Sequence, residues 1–205
     1  MAKKYFVTGI GTEVGKTVTS AILTEHLKAD YWKPIQSGDL HQSDTIKVKD
    51  LVANATTKFH PEAYQLAQPF SPHYSAELDG VEIKLSSINL PKTPNNLIVE
   101  GAGGLMVPLN QQDLIIDLIN KLGLEVILVS KNYLGSINHT LLSVEALKSR
   151  NIPIKGIIFN GDKNEATESI IIKMTGLKVI AHIPVLPVID QQNVKALAKN
   201  LRFNW

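Results

Sequence analysis

The 205-residue sequence contains no cysteine, which excludes disulfides, thiolate metal sites and a thiol nucleophile. It also lacks a dominant charge: 21 Lys and Arg against 19 Asp and Glu leave a net charge of +2, with the lysines scattered. Nucleic-acid backbones and anionic membrane surfaces are gripped by concentrated basic faces, so neither is expected as a partner. No apolar run approaches the roughly 20 residues of a membrane helix. The start, Met1-Ala2-Lys3-Lys4, passes directly into Tyr5-Phe6-Val7-Thr8 and a glycine loop, which fits no signal peptide. The expectation is a soluble, cytoplasmic protein. His26, His41, His60, His73, His139 and His182 lack the paired zinc spacing of the His-Glu-x-x-His kind, and no nucleophile-elbow serine is present, so hydrolase readings have little support.

What is present has the make-up of a globular α/β protein. Hydrophobic residues at 44% and charged residues at 20% are ordinary for that class. The length suits one domain, residues 1–205, rather than two. Short runs rich in β-branched and aromatic residues predict strands near 4–8, 31–35, 97–100, 125–130, 155–159 and 178–183. Apolar residues at three- and four-residue spacing predict helices near 15–28, 43–54, 112–122, 137–150, 165–175 and 191–201. Runs such as Val126-Ile127-Leu128-Val129 are apolar on both faces, as strands covered from both sides must be. The pattern predicts a doubly wound, mainly parallel sheet flanked by helices. Residues 56–95, with Pro61, Pro69, Pro72, Pro91 and Pro94, read as loops with a short helix over the site.

Between the first strand and first helix lies Gly9-Ile10-Gly11-Thr12-Glu13-Val14-Gly15-Lys16-Thr17. Glycines let successive backbone amides and the positive end of the following helix surround phosphate oxygens. Lys16 would reach the outer phosphates, and the Thr17 hydroxyl would ligate Mg²⁺. Five residues separate Gly9 from Gly15, one more than the usual phosphate-loop spacing.

Other polar residues fall at strand ends. Lys33 lies on an apolar strand, where a cation needs an anionic partner or a functional reason. Asp44 falls in the first turn of a helix, where a carboxylate suits the dipole. Glu100 tips the strand Leu97-Ile98-Val99 and is followed by Gly101-Ala102-Gly103-Gly104, well placed to hold Mg²⁺. Each alone also has a plain structural reading: an ion-paired lysine, a helix-capping aspartate, a loop carboxylate. Asn160 ends a further strand, and its amide matches the N6 and N7 edge of adenine. The order Asn160-Gly161-Asp162-Lys163 departs from the guanine-reading signature, which favours ATP over GTP. Lys16, Lys33, Glu100 and Asn160 thus gather at the carboxyl edge of the sheet, where such folds bind ligands.

The segments Tyr5 to Thr17, Lys33-Pro34 with Ser37-Gly38, Ser71-Pro72-His73, Val99 to Gly104, Leu134-Gly135 with Ile137-Asn138-His139, and Ile183-Pro184 resemble the dethiobiotin synthetase family over nearly the whole chain. The resemblance implies a Mg²⁺-requiring ligase in which 7,8-diaminononanoate takes up CO₂ as a carbamate. ATP phosphorylates the carbamate to a carbamic-phosphoric mixed anhydride, and ring closure gives dethiobiotin, ADP and phosphate. It implies catalytic roles for Thr12, Lys16 and Lys33. It implies nucleotide contacts for Glu13, Val14, Gly15, Lys16, Thr17, Val18, Asp44, Glu100, Gly101, Ala102 and Gly103, with adenine at Asn160, Pro184, Val185 and Leu186, and Gln191 to Asn193 lining the same pocket. Metal would be held by Thr17, Asp44 and Glu100. Substrate would meet Thr12 and Ser37, and its tail carboxylate would meet Gly135, Ser136 and Asn138 across the two-fold interface of a homodimer. That last segment reads equally as an ordinary helix start. The rival class is a dimeric nucleotide switch of the partitioning or division-site type. Thr8 to Thr12 lacks the second lysine of those loops, and the stripe Val194, Leu197, Ala198 and Leu201 reads as a core-packed helix rather than a membrane anchor.

Overall fold

The computed structural model describes residues 2–205, with Met1 outside the described residues. The chain begins with β1 (Lys4–Gly9), α1 (Lys16–Leu27), β2 (Asp30–Trp32), β3 (Ile35–Ser37) and α2 (Asp44–Leu51). It continues through β4 (Phe59–His60), β5 (Tyr64–Leu66), α3 (Pro72–Leu78), β6 (Leu97–Gly104) and α4 (Ile115–Leu122). The last third alternates regularly: β7 (Glu125–Ser130), α5 (Ser136–Ser149), β8 (Ile154–Asn160), α6 (Glu165–Thr175), β9 (Val179–Ile183) and α7 (Gln191–Asn200).

Seven strands form one parallel sheet in the order β4-β2-β6-β1-β7-β8-β9. The central strand β1 therefore runs between β6 and β7, with Val7 opposite Glu100 on one side and Ile127 on the other. Phe6, Val7, Ile98, Val99, Ile127, Leu128, Ile157 and Ile158 are fully buried, as strands covered on both faces require. Val194 and Ala198 of α7 are buried too, and the helix packs on α1, so its apolar stripe is taken up internally. Among the described residues, no helix is long and apolar enough to cross a membrane.

Three sequence expectations need correction. The strand expected at 31–35 is two: Pro34 has no amide to donate, so β2 stops at Trp32 and Lys33 stands beyond its end. The chain resumes as β3, which pairs with β5 in a separate two-stranded sheet. Glu100 is not a strand tip, because β6 continues to Gly104. The proline-rich 56–95 stretch holds β4 and β5 as well as the expected short helix α3, with β4 closing one edge of the main sheet.

Candidate active site

The turn from β1 into α1 is shaped for an anion. Gly15 caps α1 at φ +88, in the left-handed region that glycine adopts without strain, and no side chain caps the helix. The first amides of α1 are thus left for a ligand. A Cβ on Gly15 would lie 2.0 Å from Nδ2 of Asn160, so glycine is also required for closeness to β8. Asn160 donates that Nδ2 to the Val14 carbonyl at 3.0 Å, which locks the end of β8 onto the loop. Lys16 folds back to donate to the Gly11 carbonyl at 2.9 Å. Burial holds its ammonium below the ordinary lysine value, with Glu100 and Asp44 opposing that shift and Lys33 adding to it.

Beside this loop, polar groups from α1, β2, α2 and β6 converge. The Thr17 hydroxyl lies 3.1 Å from Asp44 Oδ1 and 3.0 Å from Glu100 Oε1. The Lys33 ammonium bridges the same two carboxylates, in contact with Asp44 and 3.4 Å from Glu100. Burial alone would depress the Lys33 value, but Glu100 and then Asp44 outweigh it and hold it above the ordinary one. Burial likewise pushes Asp44 up, and the charge and hydrogen bond of Lys33 and the bond from Thr17 bring it below the usual carboxylate range. Glu100 is fully buried, and its second oxygen accepts from the hydroxyl of Tyr31 at 3.0 Å. Asp44 does not cap its helix: Ser43 does so by accepting from the Ile46 amide.

Among the described residues no cluster of three or more His, Cys, Asp or Glu side chains forms a metal cage. Thr17, Asp44 and Glu100 instead offer hard oxygen donors on one side only. That set fits Mg²⁺, which takes one or two carboxylates and completes its shell with water and phosphate.

Two cavities flank this cluster. One of about 370 Å³ is lined by Thr12, Lys33, Ser37, Asp44, Phe70 and Gly103, among others. Among the described residues the buried Ser37 hydroxyl has no hydrogen-bond partner, which leaves its bonding capacity open to a ligand. The other, about 260 Å³, is lined by Glu13, Gly15, Val18, Asn160, Pro184, Val185 and Leu186. Gln191 and Asn193 are not part of it: Gln191 donates to the Val52 carbonyl, and Asn193 closes the Asp190 cap of α7. Gly135 caps α5 at φ +104 without a side-chain bond, while Ser136 Oγ accepts from the Tyr133 amide. Gly135, Ser136 and Asn138 do not reach the Lys33 cavity within one chain.

Sequence reasoning missed several neighbours. Lys131, Gly161 and Ile189 line the Asn160 cavity, and Gln36 and Phe70 the Lys33 cavity. Tyr31 was missed as well, since an aromatic on an apolar strand carries no local sign that its hydroxyl meets a carboxylate.

A parallel sheet with a phosphate loop at its carboxyl edge, and oxygen ligands beside it, defines a P-loop nucleotide-binding protein. A family model described as an AAA domain matches residues 3–193. Among solved structures, a ParA family ATPase from Chlorobium tepidum superposes with TM-score 0.62 at 13% identity, covering 98% of this chain and all of that one. The MinD cell division ATPase of Pyrococcus furiosus gives 0.60 at 17%, over 97% and 89%. At such identities these show the fold alone. Sequence relatives go further. The chain is 56% identical over 202 residues to the ATP-dependent dethiobiotin synthetase BioD of Christiangramia forsetii, covering 98% of this chain and 97% of the relative. It is 53% identical over 204 residues to that of Cytophaga hutchinsonii, covering 99% and 98%. The chain belongs to the ATP-dependent dethiobiotin synthetase family and is accordingly an ATP-dependent cyclo-ligase of biotin biosynthesis.

Proposed function

We propose that residues 1–205 act as one P-loop ligase domain that converts 7,8-diaminononanoate, CO₂ and ATP into dethiobiotin, ADP and phosphate. The observation that carries this reading is the convergence of Lys16, Lys33, Thr17, Asp44 and Glu100 between a phosphate loop and a cavity holding a free serine hydroxyl.

One amine of the substrate adds to CO₂ and loses a proton, giving a carbamate. A carbamate oxygen then attacks the terminal phosphorus, and the bond to ADP breaks. The second amine attacks the carbonyl carbon of the mixed anhydride, expels phosphate and closes the ring. The first transfer brings an anion toward an anion, so fixed positive charge must offset the repulsion. Lys33, on the floor of the Ser37 cavity, suits the carbamate, while Lys16 and the amides at the start of α1 suit the phosphates. Thr17, Asp44 and Glu100 would hold Mg²⁺, which would supply further positive charge to offset that of the phosphates. Asn160, fixed by Val14, leaves its amide oxygen for the adenine amino group, against Pro184, Val185 and Leu186.

The uncapped start of α5 suits the substrate's tail carboxylate, supplied by the second subunit of a homodimer. Leu142 and Met106 are exposed hydrophobics that line one groove with His139 of α5 and suit burial there. Purified protein given the diamine, bicarbonate and MgATP should form dethiobiotin, detected by mass spectrometry. Lys33→Ala should form none while circular dichroism shows the fold retained. Absence of product from the unsubstituted protein would overturn the reading.

A further inference from the structure

Glu100 is a fully buried carboxylate, so each of its oxygens needs donors. Thr17 and Lys33 both bond one oxygen, Oε1, at 3.0 and 3.4 Å. In the reaction proposed above, both are claimed by ligands: Thr17 by the metal and phosphates, Lys33 by the carbamate. Among the described residues the other oxygen, Oε2, accepts only from the Tyr31 hydroxyl, at 3.0 Å. Tyr31 lines neither cavity beside the cluster. It is fully buried in β2, paired between Phe59 and Ile98, with its amide bonded to the Lys58 carbonyl and its ring 6.1 Å from that of Phe59. Its hydroxyl makes no other hydrogen bond among the described residues.

We propose that Tyr31 is the positioning residue of the metal site: it pins Oε2 of Glu100 so that Oε1 stays aimed at the cation when Thr17 and Lys33 turn to their ligands. The inference rests on the ligase reading for the identity of those ligands, but the geometry it explains is that of this chain. A donor behind a ligating carboxylate fixes its rotamer, and loss of such a donor typically weakens metal affinity about 10- to 100-fold. Phenylalanine at 31 removes one oxygen atom and keeps the ring, so it isolates that contact.

The test titrates Mn²⁺ into the protein with saturating ADP, following free metal by electron paramagnetic resonance. Tyr31→Phe should raise the Mn²⁺ dissociation constant about tenfold and the Mg²⁺ concentration for half-maximal turnover by a similar factor. In a Glu100→Ala background the same substitution should add nothing, because the contact it removes is already gone. An unchanged Mn²⁺ constant, with or without a lower melting temperature, would overturn the proposal, as would an equal effect of Tyr31→Phe in the Glu100→Ala background. Wild-type protein that binds Mn²⁺ and ADP as expected but makes no dethiobiotin would sink the reaction and leave Tyr31 in place.

Discussion

Two buried lysines stand within one cluster and are shifted in opposite directions. Lys16 has burial as its largest influence and holds its proton less tightly than a free lysine, whereas Lys33, pressed between two carboxylates, holds it more tightly. The difference follows from their partners: Lys16 donates to the neutral Gly11 carbonyl, whereas Lys33 stands between two carboxylates. Gly15 shows how little room the loop allows. Alanine there must take φ +88 and push its methyl group into Asn160, which costs of order 1–3 kcal/mol in backbone strain alone. Gly15→Ala should therefore lower stability to urea by about that amount and abolish ATP binding measured by calorimetry. Retained ATP affinity would show that the Asn160 contact is dispensable.

At the level of elements, one carboxylate gathers both ends of the 58–95 stretch at the start of β2, beside the pairing of β4 with that strand. Asp30, fully buried at the start of β2, accepts from Thr93 Oγ1 at 2.7 Å, Asn95 Nδ2 at 3.0 Å, the Lys58 amide at 3.1 Å and His60 Nε2 at 3.1 Å. Burial raises its value, but these bonds outweigh that and hold it below the usual carboxylate range. A depressed folded value contributes stability that is present above the unfolded carboxylate value, about 3.9, and lost as pH falls through the folded one. Asp30→Asn should cost roughly 1–3 kcal/mol at pH 7, and its urea midpoint should converge on that of the wild type as the pH is lowered through the acid range. None of this was legible in advance. The alternating last third was readable because β7, β8 and their helices carry continuous apolar runs and clear periodicity. The 56–95 stretch was not, because β4 and β5 are two and three residues long and are set by partners distant in sequence. Likewise Lys16, Glu100 and Asn160 announced themselves beside glycines or at strand ends. Tyr31 and Asp30 did not, since their roles rest on side chains reached only through the folded sheet.

For the whole molecule, the surface that gathers Leu142 and Met106 around His139 adjoins Gly11 and Thr12 of the phosphate loop. In the homodimer proposed above, Leu142→Glu should shift sedimentation from dimer to monomer and depress turnover with it, because α5 of the second subunit would no longer complete the proposed site. Monomer with full activity would show each chain self-sufficient. The sheet order has a further consequence, in time rather than space. The central strand β1 is synthesised first, yet its neighbours β6 and β7 begin only at Leu97 and Glu125. On a ribosome, Tyr5, Phe6 and Val7 must wait unpaired while half the chain emerges. Non-local pairing of this kind is expected to slow folding and to leave nascent β1 exposed to aggregation until β6 and β7 emerge.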